Sequence, residues 1–321
     1  MPKVPRSAIP LTLTLTLLAA VTGLATAQPP PTETGFIYVE PDVRLYYQRF
    51  GTGTPKVFIS NASEMRVTFA PLLYLHDVVM WDPRGRGLSD RPDDLARYGM
   101  DVEIADAEKV REHFGADDIT YVGGSLWGSV ALLYAARHPE SVGRVVSLGA
   151  FPPAKSLDTG EPDRVLERDV SALVAEKEAM EQDGRAEANP YAYCMADRRI
   201  GWTASLVNLH TMAVAEATNM CQYRNESLDL ILPVIFEGIL GKWGDWDWRA
   251  EIASVRQPVM LVWGDHDWSL AGIEANADLL PNVGWLEMEG TDHAVWLDGR
   301  DTLLPMMDTF FRGEWPENLN R

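Results

Sequence analysis

Positive charge is scarce in this chain. Twenty-eight Lys and Arg stand against 47 Asp and Glu, a formal net charge of −19. Such an acidic chain repels nucleic-acid phosphate and anionic lipid headgroups, so neither a nucleic acid nor a stable membrane partner is expected. Long apolar runs are scarce as well. The stretch Leu11 to Leu24 is short for a bilayer crossing, follows Lys3 and Arg6, and leads to Ala25-Thr26-Ala27 before Gln28. A positive start, a short apolar stretch and a small-x-small site read as a signal peptide. Residues 1–27 are therefore expected to be removed near Ala27-Gln28, giving an exported, periplasmic or secreted protein. No cysteine follows the run, so a lipid anchor is not expected. Cysteine itself is limited to Cys194 and Cys221. In an oxidising compartment a disulfide is the favoured reading over two separate buried thiols. No suitably spaced histidine accompanies them, so no metal site is expected there. No cofactor is expected either.

What the chain does have is material for a large core. Hydrophobic residues make up 46% of its 321 residues and charged residues 23%, which suits one large α/β domain with an insertion. Gln28 to Glu33 is Pro-rich and reads as an extended leader. Phe36 to Val39 and Val43 to Gln48 alternate about Pro41-Asp42 and read as a hairpin. Val57–Ser60, Val78–Trp81, Ile119–Val122 and Val142–Leu148 are continuous apolar runs, as strands buried on both faces should be. Glu103–Phe114 and Ser125–Arg137 read as helical connections, so a parallel sheet with right-handed crossovers follows. The alternation breaks after Phe151-Pro152-Pro153. Leu166–Gln182, Trp202–Met220 and Leu228–Leu240 read as helices of an inserted cap. Strands resume at Pro258–Trp263 and Val283–Met288, and Leu303–Phe311 reads as a last amphipathic helix. The expected division is a signal peptide at 1–27, core at 28–151, cap at 152–257 and core again at 258–321.

Three residues in a fixed chain order suggest chemistry. Ser125 lies in Gly123-Gly124-Ser125-Leu126-Trp127-Gly128, between an apolar strand and a helix. A serine on such a turn presents its hydroxyl at the sheet edge; the alternative is an ordinary helix-capping serine. Gly264-Asp265-His266-Asp267 follows a strand end, where acids reach the ligand crevice. Asp267 is the preferred orienting carboxylate and Asp265 the reserve. A metal on this loop is disfavoured, because neighbours on one tight turn rarely converge on one ion. His293, in Thr291-Asp292-His293-Ala294 after the next strand, is the candidate base. His113 and His138 sit at helix ends, His210 in the cap, and His76 and His266 in loops. The backbone N–H of Leu126 is the expected first oxyanion donor. The second is expected from the loop after Val57–Ser60, with Ala62 preferred and Asn61 or Ser63 open.

Taken together, these residues resemble the α/β-hydrolase superfamily over nearly all of the mature chain. The supporting run is Asp82-Pro83-Arg84-Gly85-Arg86-Gly87-Leu88-Ser89-Asp90. It is similar to the Asp-x-Arg-Gly-x-Gly-x-Ser turn of capped members, with a structural role in which Arg84 ties nearby acids. Gly123-Gly124-Ser125 and the tail Phe311 to Pro316 look most like the prolyl-aminopeptidase-like branch. The resemblance implies an eight-stranded, mostly parallel twisted sheet flanked by helices, with an inserted helical cap. It also implies a serine hydrolase of an ester or short peptide, in which a cap acid holds a free amine. Glu226 is the candidate for that acid, beside the alternative of a solvated surface glutamate. Two features depart from the family pattern. Trp127 occupies the position two after the nucleophile, usually glycine, so that either the turn is re-formed or Trp127 faces the pocket as a substrate contact. The usual His-Gly or Gly-Gly-Pro-Gly oxyanion segment is absent. These departures keep two other readings open: a carboxylesterase of small esters and a non-catalytic binder on the same fold. The sequence leaves the oligomeric state open.

Overall fold

The computed structural model describes residues 28–158, 168–268 and 270–321. The expected signal peptide, residues 1–27, lies outside them, as does part of the first expected cap helix. The described chain forms one eight-stranded sheet in the order β1-β2-β4-β3-β5-β6-β7-β8. The strands are β1 Glu33–Glu40, β2 Val43–Phe50, β3 Val57–Ser60, β4 Val78–Trp81, β5 Ile119–Gly124, β6 Val142–Leu148, β7 Val259–Gly264 and β8 Val283–Met288. The β1–β2 hairpin and the β2–β4 pair are antiparallel, and every other pair is parallel. The continuous apolar runs are the central strands: every residue of β3, β4, β5 and β7 is buried.

Alternation along each strand divides these residues between two cores. Tyr121 and Val145 face one cluster, Val122 and Val146 the other, as a side-chain period of two requires. Helices cover both faces. On the first side lie α3 Met100–His113 and α4 Leu126–Arg137; on the second lie α1 Ala62–Thr68, α2 Ala70–Leu73 and, at the C-terminal end, α12 Val295–Asp298 and α13 Arg300–Phe311. Between β6 and β7 the described residues add no strand to the sheet. They form α5 Ser171–Gln182, α6 Arg185–Ala188, α7 Pro190–Ser205, α8 Met212–Ala217, α9 Leu228–Leu232 and α10 Arg249–Ile252. The helix α11 Leu270–Leu279 then joins β7 to β8.

The helices of this insertion differ from the sequence reading in place and kind. Trp202 lies in the last turn of α7 instead of starting another helix. Pro190 opens α7 at its first turn, where a missing N–H costs nothing, and the Asn189 side chain caps it by accepting the Ala192 N–H. Leu206 is extended and Asn219 left-handed, so no helix crosses 206–220 unbroken. Leu228–Leu240 is helical, but from Pro233 to Ile239 it widens to a π-helix. Pro233 has no N–H to give and its ring crowds the carbonyl four residues back, which favours the wider turn there. A disulfide joins Cys194 on α7 to Cys221, as the compartment argument expected.

Candidate active site

Three loop ends converge at the C-terminal edge of the parallel strands. The first is the turn at Ser125, between β5 and α4. Its φ and ψ are 56° and −129°, a conformation that an L residue occupies only under constraint. The constraint is packing on both sides. The Ser125 N–H donates to the Leu148 carbonyl at 2.7 Å. A Cβ at Gly123 would collide with the carbonyl oxygen of Trp127, and one at Gly124 would meet the Met65 side chain. Strand and helix approach so closely that only glycine fits before the serine.

The second loop follows β7. Asp267 is fully buried in the turn closed by its N–H to the Gly264 carbonyl. Its Oδ1 accepts the Trp268 N–H at 2.8 Å and lies 2.9 Å from His293 Nδ1. Asp265 does different work: its Oδ1 accepts the N–H groups of Gly290 and Thr291 and so shapes the loop that holds the histidine. The third loop follows β8 and places His293 Nε2 2.8 Å from Ser125 Oγ. With the proton on Nδ1, that N–H donates to Asp267 and Nε2 is free to accept from the serine hydroxyl. Burial opposes a charged imidazole here, but the Asp267 carboxylate outweighs it and holds the His293 pKa above its ordinary 6.5. Trp268 stacks on the imidazole at 3.8 Å between centroids, and Trp296 meets it edge-on at 5.8 Å.

A cavity of about 540 Å³ opens over this cluster. Leu126, Trp127, Phe151, Trp268 and Trp296 give it apolar walls from the core, and Ile231, Ile235 and Phe236 close it from the insertion. Its polar lining includes Asn61, Glu64, Arg86 and Arg198. Among the described residues no group of three or more His, Cys, Asp or Glu is placed to hold a metal ion.

The remaining sequence candidates fall as follows. Leu126 is the first residue of α4 and Ala62 the first of α1, so each N–H belongs to the first turn of a helix, where no intrahelical acceptor exists. Ser63 is not a free donor, since its N–H is bonded to Asp82 Oδ1 at 2.7 Å. Asn61, left-handed at φ 65°, is the residue before α1 that lines the cavity, whereas Ala62 does not. Trp127 answers its open question in both senses. Its backbone is drawn into the first turn of α4, and its indole is 4% exposed, bounding the cavity while its N–H donates to Glu103 Oε2 at 2.9 Å.

Glu226 requires a correction on both of its readings. It is neither solvated nor available to an amine. It is 0% exposed, and its carboxylate accepts from Arg86 at 2.9 and 3.0 Å, from the Gly87 N–H at 2.8 Å and from the Ser63 hydroxyl at 3.0 Å. The sequence reading missed Arg86, Glu103, Arg198 and Trp268. Arg86 stood in a recognised motif at its variable position. Trp268 directly follows Asp267, and the only signal for Glu103 was one acid on a helix face.

A protein-family model described as the α/β hydrolase fold matches residues 46–173. A proline iminopeptidase of Xylella fastidiosa is 35% identical over 130 residues, which is 38% of this chain and 41% of that protein. A 2-hydroxymuconate semialdehyde hydrolase of a Pseudomonas species is 31% identical over 137 residues, 39% of this chain and 48% of its own length. The chain thus spans less than half the length of these curated relatives. Among solved structures, a membrane phospholipase A described as a bacterial virulence factor superposes with a TM-score of 0.63 at 20% identity, covering 94% of this chain and 93% of that one. Family match, sheet order and neighbours agree on an α/β-hydrolase fold, and the relatives that the first part of the chain resembles include proline iminopeptidases.

Proposed function

We propose that the protein is an exported serine hydrolase that cleaves an ester or small peptide amide through an acyl-enzyme on Ser125. The observation that carries this reading is the unbroken contact from Asp267 through His293 to Ser125, at 2.9 and 2.8 Å. In the first half-reaction Ser125 Oγ attacks the substrate carbonyl carbon while its proton passes to His293 Nε2. Asp267 stabilises the imidazolium that forms. The oxyanion is held by the N–H of Leu126 and by a second donor at the start of α1, Asn61 or Ala62. His293 then gives its proton to the leaving group. In the second half-reaction the same histidine takes a proton from water as its oxygen attacks the acyl carbon, then returns that proton to Ser125 Oγ as the acid product leaves. No cofactor enters.

The cavity walls favour an apolar acyl group, and residues 152–257 act as its cap. The engagement of Glu226 by Arg86 takes that residue out of the amine-holding role. The prolyl aminopeptidase reading stands second, on the similarity to proline iminopeptidases. Export is supported by the Cys194–Cys221 disulfide; among the described residues no helix is long and apolar enough to cross a membrane.

A fluorophosphonate probe tests the core of the proposal. Rapid labelling of the wild type, abolished in Ser125→Ala, is the expected result. A folded wild type that does not react would leave a binder on the same fold. Turnover of chromogenic esters against N-terminal prolyl and alanyl amides then separates the two substrate classes.

A further inference from the structure

The indole of Trp127 stands where the resemblance led one to expect glycine, and it is held from two directions. Its N–H is bonded to Glu103, on α3, and the Arg86 guanidinium lies 5.0 Å above its ring. One contact fixes the indole within its plane and the other fixes the plane itself. Arg86 is in turn held by Glu226, the carboxylate that the insertion lowers into the core. That one side chain reaches two core segments at once, Ser63 in the first turn of α1 and Arg86 with Gly87 in the loop after β4. On the insertion side, the Glu226 carbonyl accepts from Arg198, four residues along α7 from the disulfide-bonded Cys194. Glu103 is itself unusual. It is 4% exposed, its Oε2 serves Trp127, and its Oε1 has no hydrogen-bond partner among the described residues. A buried carboxylate oxygen without a partner is costly, and such groups persist where they hold something in place.

We infer that Glu226, Arg86 and Glu103 are positioning residues that clamp Trp127, and through it the Ser125 turn, only while the insertion is seated on the core. Trp127 follows Leu126, and its carbonyl is packed against Gly123. A shift of the indole is therefore passed to the backbone on both sides of the serine. This deepens the proposed function, because it makes acylation at Ser125 depend on a contact made by the cap. None of the three residues touches the reacting atoms.

The experiment uses the full mature chain with Glu103→Leu, Glu103→Gln and Glu226→Leu, each shown to be folded by circular dichroism. Two quantities are read: amide hydrogen exchange of the peptide spanning 119–130, and the rate constant of fluorophosphonate labelling. Glu103→Leu and Glu226→Leu are expected to speed exchange in that peptide and slow labelling, each by about tenfold or more. Glu103→Gln, which keeps an acceptor for the indole, is expected to exchange no faster than wild type and to label within about twofold of it. Exchange over 283–288, in β8, should rise by less than exchange over 119–130. If Glu226→Leu fails to fold, Glu103→Leu decides, since it leaves the Arg86 pair intact. Folded leucine variants whose 119–130 exchange matches wild type would overturn the inference. A wild type that ignores the probe while exchange responds as expected would defeat the hydrolase reading and leave the clamp standing.

Discussion

Replacing Glu226 with alanine should destabilise the protein far more than any surface acid. The substitution removes four hydrogen bonds and leaves Arg86, 4% exposed, with its nearest remaining carboxylate, Glu64, at 3.6 Å. Removing one partner of a buried pair typically costs about 3–5 kcal/mol, most of it from the stranded charge. At about 2–4 °C per kcal/mol for a chain of this size class, the melting temperature should fall by roughly 10 °C. Glutamine should land between. Its oxygen can sit at Oε1 and keep Ser63, Arg86 Nε and Gly87, while its amide nitrogen must face Arg86 Nη2. The assay is urea unfolding at neutral pH without reductant, repeated down the acid range. Burial opposes the charged Glu226, but Arg86 and the surrounding donors hold its pKa below the ordinary 4.5. A lowered pKa stabilises the fold above the unfolded-state value and loses that contribution as pH falls through the folded one. The gap between wild type and alanine should therefore close on acidification. A loss below about 1 kcal/mol at neutral pH, the size of an ordinary surface substitution, would refute the buried-latch account and restore the solvated glutamate.

Other consequences follow from the same geometry. Glu103, pushed up to about 7 chiefly by burial and then by the neighbouring Asp106, favours the fold when protonated and loses that advantage as pH rises from about 4.5 to 7. Glu103→Gln should therefore gain on wild type by about 3 kcal/mol across that interval, and parallel urea midpoints at pH 5 and 8 would disprove it. His293→Ala should lose several orders of magnitude in kcat/KM with little change in melting temperature. The wild-type rate should rise with pH through a pKa above 6.5, and a limb below that value would contradict the Asp267 contact. Replacing Cys194 and Cys221 with serine opens a loop of separation 27, worth about 3.5 kcal/mol, and should speed hydrogen exchange in the insertion more than in the sheet. Two titratable thiols in the unreduced, denatured wild type would remove the bond from consideration.

The chain order of strands and the three site positions were legible because each rests on a local pattern. Continuous apolar runs have one stable destination, a strand covered on both faces, and those runs are β3 to β7. Ser125 and Asp267 each follow such a run and His293 follows the half-buried β8, so strand ends pointed to all three loops. The insertion was less legible. Its helices are short, half exposed and stopped by single residues such as Leu206 and Asn219, whose backbone conformation no periodicity announces.

Sequence alone therefore determined the strand runs, the serine turn and the loops that carry the candidate acid and histidine, because hydrophobic period and strand-end position are properties of neighbours along the chain; the choice of Asp267 over Asp265 beside His293 came from the loop geometry. Tertiary structure decided what Glu226, Arg86, Glu103 and Trp127 do. Their partners lie 24 to 163 residues away, and whether a carboxylate meets water, an amine or a buried guanidinium depends on which surfaces the fold brings together.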